Sequence, residues 1–562
     1  MLVKRIMQAN TSGMPMVVTN FINTESANFT TRLQQSANNY ANGYIYSDAA
    51  YLVANSNCSH MFSGMSSLEE INMARFDFSK TTDMSYMFSG CQNLYSIFYL
   101  NTFNVSKVTD FSHMFHNCSK LSFADFSDWN VSNGKNFVNM FTNCDNLYCD
   151  LSNWNMSNAK NMHMMFLYCN TLPTLFPMNL NGCDLSWMFA YSVNKSPISF
   201  NNWNLVNCNC EDVVQGCGDL NFYNLNISNC IFTSFQTGTY ASSMLNLNFN
   251  GCNINNSSFI FNTRNSQYIS ISNFNAINCN SINIYRMSTN LVSTDISNAS
   301  FINCKINGFI DCNVMQSINI KNLNLQDCNL NTTRGIFEYT LALDSVNVMD
   351  VEANNCDFGA YSPSFSYKPG THNFNLSNCN FSNCRFDKFF SEYKNLTTID
   401  FSDCNFYNTY SSAYMFSNSN LASITGLNHI NFAMYAYAEG MFYNCSNLMS
   451  INVIGMDSGN IGSFASMFMG CNSLTSLDFS GWNTYRGEEF SDMFPSGRNH
   501  IKIWIPINFV VSSGTSPIAS ARSYSKADIY FEGNSEHHNF GSGLGRNWNL
   551  HYNATYQQFL NA

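Results

Sequence analysis

A Met-Phe pair that recurs at a nearly constant spacing is the feature that most limits how this chain can fold. The pairs follow one another at steps of 26, 27, 26, 25 and 23 residues in one block, and at steps of 26 in a second block. They are Met61-Phe62, Met87-Phe88, Met114-Phe115, Met140-Phe141, Met165-Phe166 and Met188-Phe189, then Met415-Phe416, Met441-Phe442, Met467-Phe468 and Met493-Phe494. A fixed period of about 20–50 residues is typical of solenoids, whose repeats bury their apolar side chains only by stacking on neighbours.

Each Met-Phe pair begins a longer unit that ends in a strand-like segment. In the copy that starts at Met467, Cys471 and Leu474 follow, and then Leu477 and Phe479 alternate with polar residues. A period of two places Leu477 and Phe479 on the inner face of a β-strand. The sequence therefore predicts a β-rich solenoid of leucine-rich-repeat type, with roughly 17 turns of about 25 residues, a parallel sheet and capped ends.

Between residues 190 and 410 the Met-Phe pairs are absent, but a cysteine still recurs every 22 to 28 residues. The series is Cys183, Cys208, Cys230, Cys252, Cys279, Cys304, Cys328, Cys356, Cys379 and Cys404. Because the period continues while its markers change, we interpret the chain as one coil with a variant centre. The predicted segments are an N-terminal cap or anchoring segment (1–59), Met-Phe repeats (60–189), cysteine-marked repeats of the same solenoid (190–410), Met-Phe repeats (411–498) and a C-terminal cap (499–562).

The 22 cysteines could be reduced or paired in disulfides. Side chains at equal positions of successive turns point in parallel, whereas a disulfide needs Cβ atoms that face each other. Free cysteine is also a small residue that is readily buried. This favours a stacked row of reduced thiols inside the coil.

Composition excludes some partners. Charged residues are only 11 % of the 562 residues, against about 25 % in average proteins, and the net charge is −11. A chain without a basic patch is not expected to bind nucleic acid or acidic membrane surfaces. No apolar run approaches the roughly 18 residues of a membrane span, and Met1–Met7 is not followed by the apolar stretch of a signal peptide. We therefore expect synthesis in the cytoplasm without a recognisable signal peptide, and no membrane insertion.

The sequence offers little for catalysis. Glycoside hydrolysis needs two carboxylates about 5–9.5 Å apart, but the adjacent pairs Glu69-Glu70, Glu211-Asp212 and Glu488-Glu489 would diverge on a strand. Phosphate-binding loops, nucleophile elbows and metal-ligand spacings are missing from the sequence. We predict a protein that is not an enzyme and that has no catalytic residues, no metal and no cofactor.

The strand alternation also predicts which side chains point outward, where a partner could bind. Phe98 and Phe123 would be diagonal neighbours on adjacent turns, and exposed aromatic residues are good binding contacts. The predicted outward residues are Glu70, Asn72, Ser96, Phe98, Phe123, Asp125, Asn452 and Asp478.

The repeat resembles the BspA-like bacterial leucine-rich repeat, which runs Met-Phe-x-x-Cys-x-x-Leu, a strand, then Trp-Asn-x-Ser. Tyr86-Met87-Phe88-Ser89-Gly90-Cys91 and Asp128-Trp129-Asn130-Val131-Ser132-Asn133 carry this pattern, and the resemblance covers about 60–189 and 411–494. That family is known chiefly for surface proteins that adhere to host or partner cells. The resemblance therefore implies binding and no catalysis.

The sequence leads to three hypotheses about function. Two describe a binding protein displayed at different places, and the third describes an enzyme. The first is a recognition protein on a particle, most plausibly a tail or head adhesin of a phage virion, which binds a host-surface protein or glycan and attaches to other virion proteins through one terminus. The second is an exported cell-surface or secreted adhesin of BspA type. The third is a tail enzyme that cleaves glycans, which would need a cleft with two close carboxylates.

Overall fold

A computed structural model describes residues 5–8, 42–45, 52–74, 76–122, 124–172, 177–192, 198–217, 220–235, 245–250, 253–255, 258–262, 266–279, 281–283, 293–308, 317–330, 345–358, 373–495, 500–511, 526–535 and 548–562. The chain divides into two compact units, Met1–Asn265 and Ser266–Ala562. The division lies inside the predicted cysteine-marked segment.

The first unit consists of short parallel strands. They are β1 Arg5–Gln8, β2 Asn42–Ile45, β3 Leu52–Val53, β4 Glu70–Asn72, β5 Phe76–Asp77, β6 Ser96–Phe98, β7 Asn179–Asn181, β8 Ile198–Ser199, β9 Asn204–Val206, β10 Asn209–Cys210, β11 Leu220–Tyr223, β12 Asn226–Ser228, β13 Ile231–Phe235, β14 Leu245–Asn250, β15 Asn253–Asn255 and β16 Ser258–Asn262. A 3-10 helix spans Leu100–Thr102.

The second unit has longer strands in its first half. They are β17 Ser266–Ser272, β18 Asn275–Ile277, β19 Ser281–Asn283, β20 Ser293–Ile302, β21 Ile306–Gly308, β22 Ser317–Gln326, β23 Ser345–Asn354, β24 Asn373–Ser377, β25 Asn380–Ser382, β26 Thr398–Asp400, β27 Asn405–Ser411, β28 Ser423–Thr425, β29 Ile430–Tyr437, β30 Ile461–Ser463, β31 Ser476–Asp478, β32 Ile501–Ile505, β33 Ala527–Phe531 and β34 Trp548–His551. A 3-10 helix spans Leu427–His429, and helix α1 spans Tyr556–Asn561.

The fold is a parallel β-solenoid with little helix, which confirms the predicted class. The residues that the structure describes form about 14 turns, slightly fewer than the predicted 17. Each turn bonds to the next through its backbone, as in the row of bridges that links Asn57, Asp83, Asp110, Asn136 and Asn161. Residues at equal positions of successive turns therefore form ladders.

The Met-Phe pair lies in a tight turn whose side chains point into the core. The residue before the pair has a left-handed backbone, as at Tyr86 with a φ of 57°. The phenylalanine rings of successive turns stack with centroids 5.3–5.6 Å apart from Phe62 to Phe189, and 5.3–5.4 Å apart from Phe390 to Phe468. Dispersion between these buried rings joins each turn to the next.

The cysteine of the Met-Phe-x-x-Cys motif also forms a hydrogen bond in this turn. The Cys118 thiol donates to the carbonyl of Phe88 in the preceding turn at 3.2 Å, and the Cys471 thiol donates to the carbonyl of Phe442 at 3.0 Å. Burial raises the pKa of the Cys91 thiol to about 12. The buried thiol thus adds a second donor to a carbonyl that already accepts a backbone N–H of its own turn, as Phe88 does from Cys91 and Phe442 does from Cys445. No disulfide joins two of the described cysteines, whereas Cys252 and Cys312 lie outside the described residues.

In the cysteine-marked part of the second unit, asparagine forms corners of the coil at a position of the repeat that differs from the Met-Phe turn. Asn298 and Asn322 occupy equal corners of strands β20 and β22, with φ of 50° and 52°. The Asn322 amide donates to the Asn298 side-chain oxygen at 2.8 Å, and Asn298 donates in the same way to Asn273 at 3.2 Å. Asparagine is one of the few residues that tolerate a left-handed backbone, so it suits both the corner and the ladder.

The predicted C-terminal cap contains the strands β32 and β33. They pair in parallel, and β34 pairs with β33. Helix α1 begins at the capping box of Thr555 and Gln558, and its Phe559 packs with Trp504 and Tyr530 in a small apolar cluster.

We predict that Asn322→Val destabilises the second unit by about 2–3 kcal/mol, because a β-branched residue is strained in a left-handed backbone and the ladder bond is lost. Asn322→Gly should cost about 1 kcal/mol, since glycine accepts this φ. Urea unfolding measures both. The control is Asn324→Val, which removes an amide bond to Ser300 at a position without positive φ; equal losses for Asn322→Val and Asn324→Val would contradict the strain argument.

Candidate recognition surfaces

Four of the predicted outward residues lie together on two neighbouring strands of the first unit. Glu70 pairs with Ser96, and Asn72 pairs with Phe98, in the parallel strands β4 and β6. Ile71 lies between Glu70 and Asn72 in β4 and is buried, as the alternation predicts. Phe98 is 47 % exposed, so its ring is available to a partner. Phe123 lies outside the described residues.

Four of the predicted outward residues have a structural role that the sequence reasoning missed. The side-chain oxygens of Asn72, Asp125, Asn452 and Asp478 each accept the backbone N–H of the residue two positions later, at 2.9–3.0 Å. These bonds close the turn that follows the strand. Outward Asp and Asn in this register therefore close turns with one side-chain oxygen.

Asp478 also connects the last part of the coil to its terminal helix. Its carboxylate accepts from the Ser480 hydroxyl at 2.5 Å and from the Tyr556 hydroxyl at 2.5 Å. The bond to Asp478 raises the pKa of Tyr556. Asp478 is thus occupied by contacts within its own unit.

Three tyrosines that were not predicted extend the outward face of the first unit. Tyr95, Tyr99 and Tyr148 are 37 %, 53 % and 69 % exposed. The Tyr95 hydroxyl donates to the Glu70 carboxylate, which orients its ring over the neighbouring turn. We call Tyr95, Phe98, Tyr99 and Tyr148 the aromatic face. In the sequence, Tyr95 and Tyr148 could have been recognised because each directly follows the buried leucine of the repeat, Leu94 or Leu147.

A denser group of exposed apolar side chains occurs in the second unit, on the neighbouring strands β27 and β29. We call it the tyrosine surface. Its members are Tyr407 (65 % exposed), Tyr410 (49 %), Met434 (65 %), Tyr435 (52 %) and Tyr437 (58 %).

A local break in strand register produces the tyrosine surface. Thr409 pairs with Phe432, and Ser411 pairs with Tyr437, so two steps along β27 match five steps along β29. The extra residues form a bulge that contains Met434 and Tyr435, and Tyr435 has a φ of 59°. A bulge re-aims side chains out of the regular ladder.

The bulge rests on a tightly packed base. Phe406, Phe432, Ala433 and Ala436 are buried beneath it. In the next turn, a Cβ on Gly462 would lie 3.3 Å from the Tyr435 backbone, closer than an ordinary contact. Glycine therefore allows the bulge to approach the following strand, and the exposed rings are held on a fixed support.

The two segments that carry the tyrosine surface have no charged side chain of their own. The segments 405–412 and 430–438 contain no Asp, Glu, Lys or Arg. The sequence reasoning missed the surface because it followed only the strand after the repeat leucine, which lies on another side of the coil. The aromatic residues within 406–410 and 432–437 could have indicated this surface in the sequence.

The described residues hold no group of three His, Cys, Asp or Glu side chains arranged to bind a metal ion. Within the described part of the chain, no helix is both long and apolar enough to cross a membrane.

One family model matches part of the chain, and solved structures are similar to most of it. The model of the family described as "Mycoplasma protein of unknown function, DUF285" matches residues 56–175 and 411–504, which together are less than half of the chain. Both matched stretches carry Met-Phe repeats. No curated protein sequence matches the chain. Among solved structures, "Crystal structure of TLR13-ssRNA13 complex" is similar over 87 % of this chain and 86 % of that chain, with 13 % identity and a TM-score of 0.22.

We predict that Asp478→Ala lowers the unfolding free energy by about 2 kcal/mol, because it removes the turn bond and the contact with Tyr556. Asp478→Asn should retain most of this stability, because asparagine occupies the equal position as Asn452 and closes the same turn. Thermal unfolding followed by circular dichroism compares the two variants. If both are as stable as the wild type, the structural role of Asp478 is refuted.

Proposed function

We propose that this protein is a non-catalytic recognition protein that binds a partner protein through the tyrosine surface. The observation that carries the proposal is a group of five large side chains, each 49–65 % exposed, on two neighbouring strands. Exposed apolar groups of this kind on a soluble domain mark interaction sites.

The chemistry of the surface favours a protein partner. Tyrosine contributes a large contact area, loses little side-chain entropy on binding, and can still donate a hydrogen bond. Methionine adapts to the shape of the partner. Because the buried base holds the bulge in place, little ordering cost remains at the moment of binding.

The proposal includes display on the surface of a particle, as an adhesin or structural surface component of a phage virion. The alternative is an exported cell-surface adhesin of BspA type. The match of both Met-Phe blocks to a repeat family and the low charged fraction of 11 % support a surface or recognition protein of BspA-like leucine-rich-repeat type.

We also propose that the protein does not act as an enzyme. General acid and base catalysis requires titratable side chains beside the bound substrate. The tyrosine surface has no carboxylate or histidine in segments 405–412 and 430–438, which supports binding without chemistry.

A photo-reactive aromatic residue at position 437 should cross-link to a partner protein in the native assembly. The same residue in place of Tyr485, which is 83 % exposed but outside the tyrosine surface, should not. Excess wild-type chain should suppress the cross-link, and Tyr407→Ser/Tyr437→Ser should compete at least ~30-fold less well, since aromatic contact centres are each worth about 2 kcal/mol or more. Equal competition by the double variant would refute the tyrosine surface as the binding site.

Mass spectrometry of purified particles, and of the membrane and secreted fractions of the source cells, tests the site of display. A virion component should be recovered in particles at a fixed copy number. Recovery only from the cell surface would contradict the virion proposal and favour the exported adhesin.

A further inference from the structure

We infer that the aromatic face of the first unit binds a cationic peptide segment, whose arginine or lysine side chains contact the Phe98 and Tyr148 rings and the carboxylates of Asp125 and Asp150. This site lies in the other unit from the tyrosine surface, and it rests on different residues.

The repeat places an aromatic ring and a carboxylate on neighbouring turns. Phe98 is the fourth residue after Leu94, and Asp125 is the fourth residue after Leu121. Both leucines are buried at the same position of the repeat. Since neighbouring turns of the stack lie about 4.8 Å apart, we expect a cation over the Phe98 ring to reach the Asp125 carboxylate.

The next turn again places an aromatic ring near a carboxylate. The Tyr148 backbone N–H donates to the Ser122 carbonyl at 3.0 Å, so Tyr148 lies beside the turn that carries Asp125. Asp150 is two residues from Tyr148, and both side chains are exposed. The backbone N–H of Ser152 donates to Asp150 at 2.8 Å and lowers the pKa of that carboxyl, which keeps it ionised at neutral pH.

The charge of the face is complementary to a cation. Positions 69–72, 95–99, 121–125 and 148–150 include four carboxylates, those of Glu69, Glu70, Asp125 and Asp150, and no lysine or arginine. The backbone of Arg5 in strand β1 pairs with Glu70, so the inference does not depend on Glu69 or Glu70. Lys120 precedes Leu121 and lies at the opposite end of the strand segment from Asp125.

The combination of rings and carboxylates favours a cation over a neutral apolar ligand. An exposed ring attracts an ammonium or guanidinium group through its quadrupole, and a neighbouring carboxylate adds Coulomb attraction. Arginine suits the site because its planar group can stack on a ring while it donates to a carboxylate.

The test uses the full-length chain and a fluorescent peptide of alternating arginine and serine, with a peptide of alternating glutamate and serine as the reference ligand. Fluorescence anisotropy should show binding of the arginine peptide only, and this binding should weaken with salt. Asp125→Asn/Asp150→Asn should weaken it about 10-fold and reduce its salt dependence. Both substitutions keep a side-chain oxygen for the turn bond.

Phe98→Asn/Tyr148→Ser should weaken binding about 10-fold as well, with the salt dependence retained. These residues already occupy the equal positions in the preceding turns, as Asn72 and Ser122, so the fold should tolerate them. Thermal unfolding checks this.

The matched control is Asp77→Asn/Asp83→Asn. It removes the same charge from two aspartates that close turns with Ser79 and Ser85 on other strands of the same unit. Loss of binding in this control would show a general effect of net charge and overturn the inference. Unchanged binding by the variants of the aromatic face, or binding of the glutamate peptide, would also overturn it. The tyrosine-surface variant Tyr407→Ser/Tyr437→Ser should bind the peptide like the wild type, which separates this result from the proposed function.

Discussion

The backbone hydrogen bond from one turn to the next is the interaction on which the rest of each unit depends. It holds equal positions of neighbouring turns about 4.8 Å apart, so every side chain must be compatible with a copy of itself. Phenylalanine stacks, buried thiols donate to carbonyls, and asparagine amides bond in series. Like charges at that spacing repel each other. This explains why only 11 % of the residues are charged. It also explains why Asp327 and Asp350 accept from Asn355 and Asn378 in the following turn.

The two kinds of repeat meet the same geometric requirement with different residues. Where the Met-Phe pair is present, buried rings and a thiol fill the turn. In the cysteine-marked repeats, Asn298 and its ladder partners form another corner of the coil, which also has a left-handed backbone. Both kinds of corner contain a residue with positive φ. A conserved period with changing residues is therefore expected of a coil in which each turn contacts only its neighbours.

Both surfaces that we propose for binding lie where side chains depart from ladder uniformity. On the aromatic face, Asn72, Phe98 and Asp125 occupy one ladder position in successive turns. A neutral polar, an aromatic and a charged side chain therefore lie side by side. On the tyrosine surface, the register itself changes and pushes Met434 and Tyr435 outward. A regular ladder presents the same type of side chain along its whole length, whereas specific recognition needs different side chains grouped at one place. Specific contacts are therefore carried by the irregular positions of a shared scaffold.

The amino-acid sequence alone determined the period, the parallel solenoid and the inward or outward direction of residues such as Ile71 and Phe98. These follow from repetition and from alternation, both of which can be read along the chain. The tertiary structure alone decided that Asp125 and Asp478 close turns and that five apolar side chains gather on β27 and β29. The physical reason is that a turn bond depends on local backbone geometry, and a register shift depends on which N–H and C=O groups of two distant segments pair. Neither can be read from residue types along one strand.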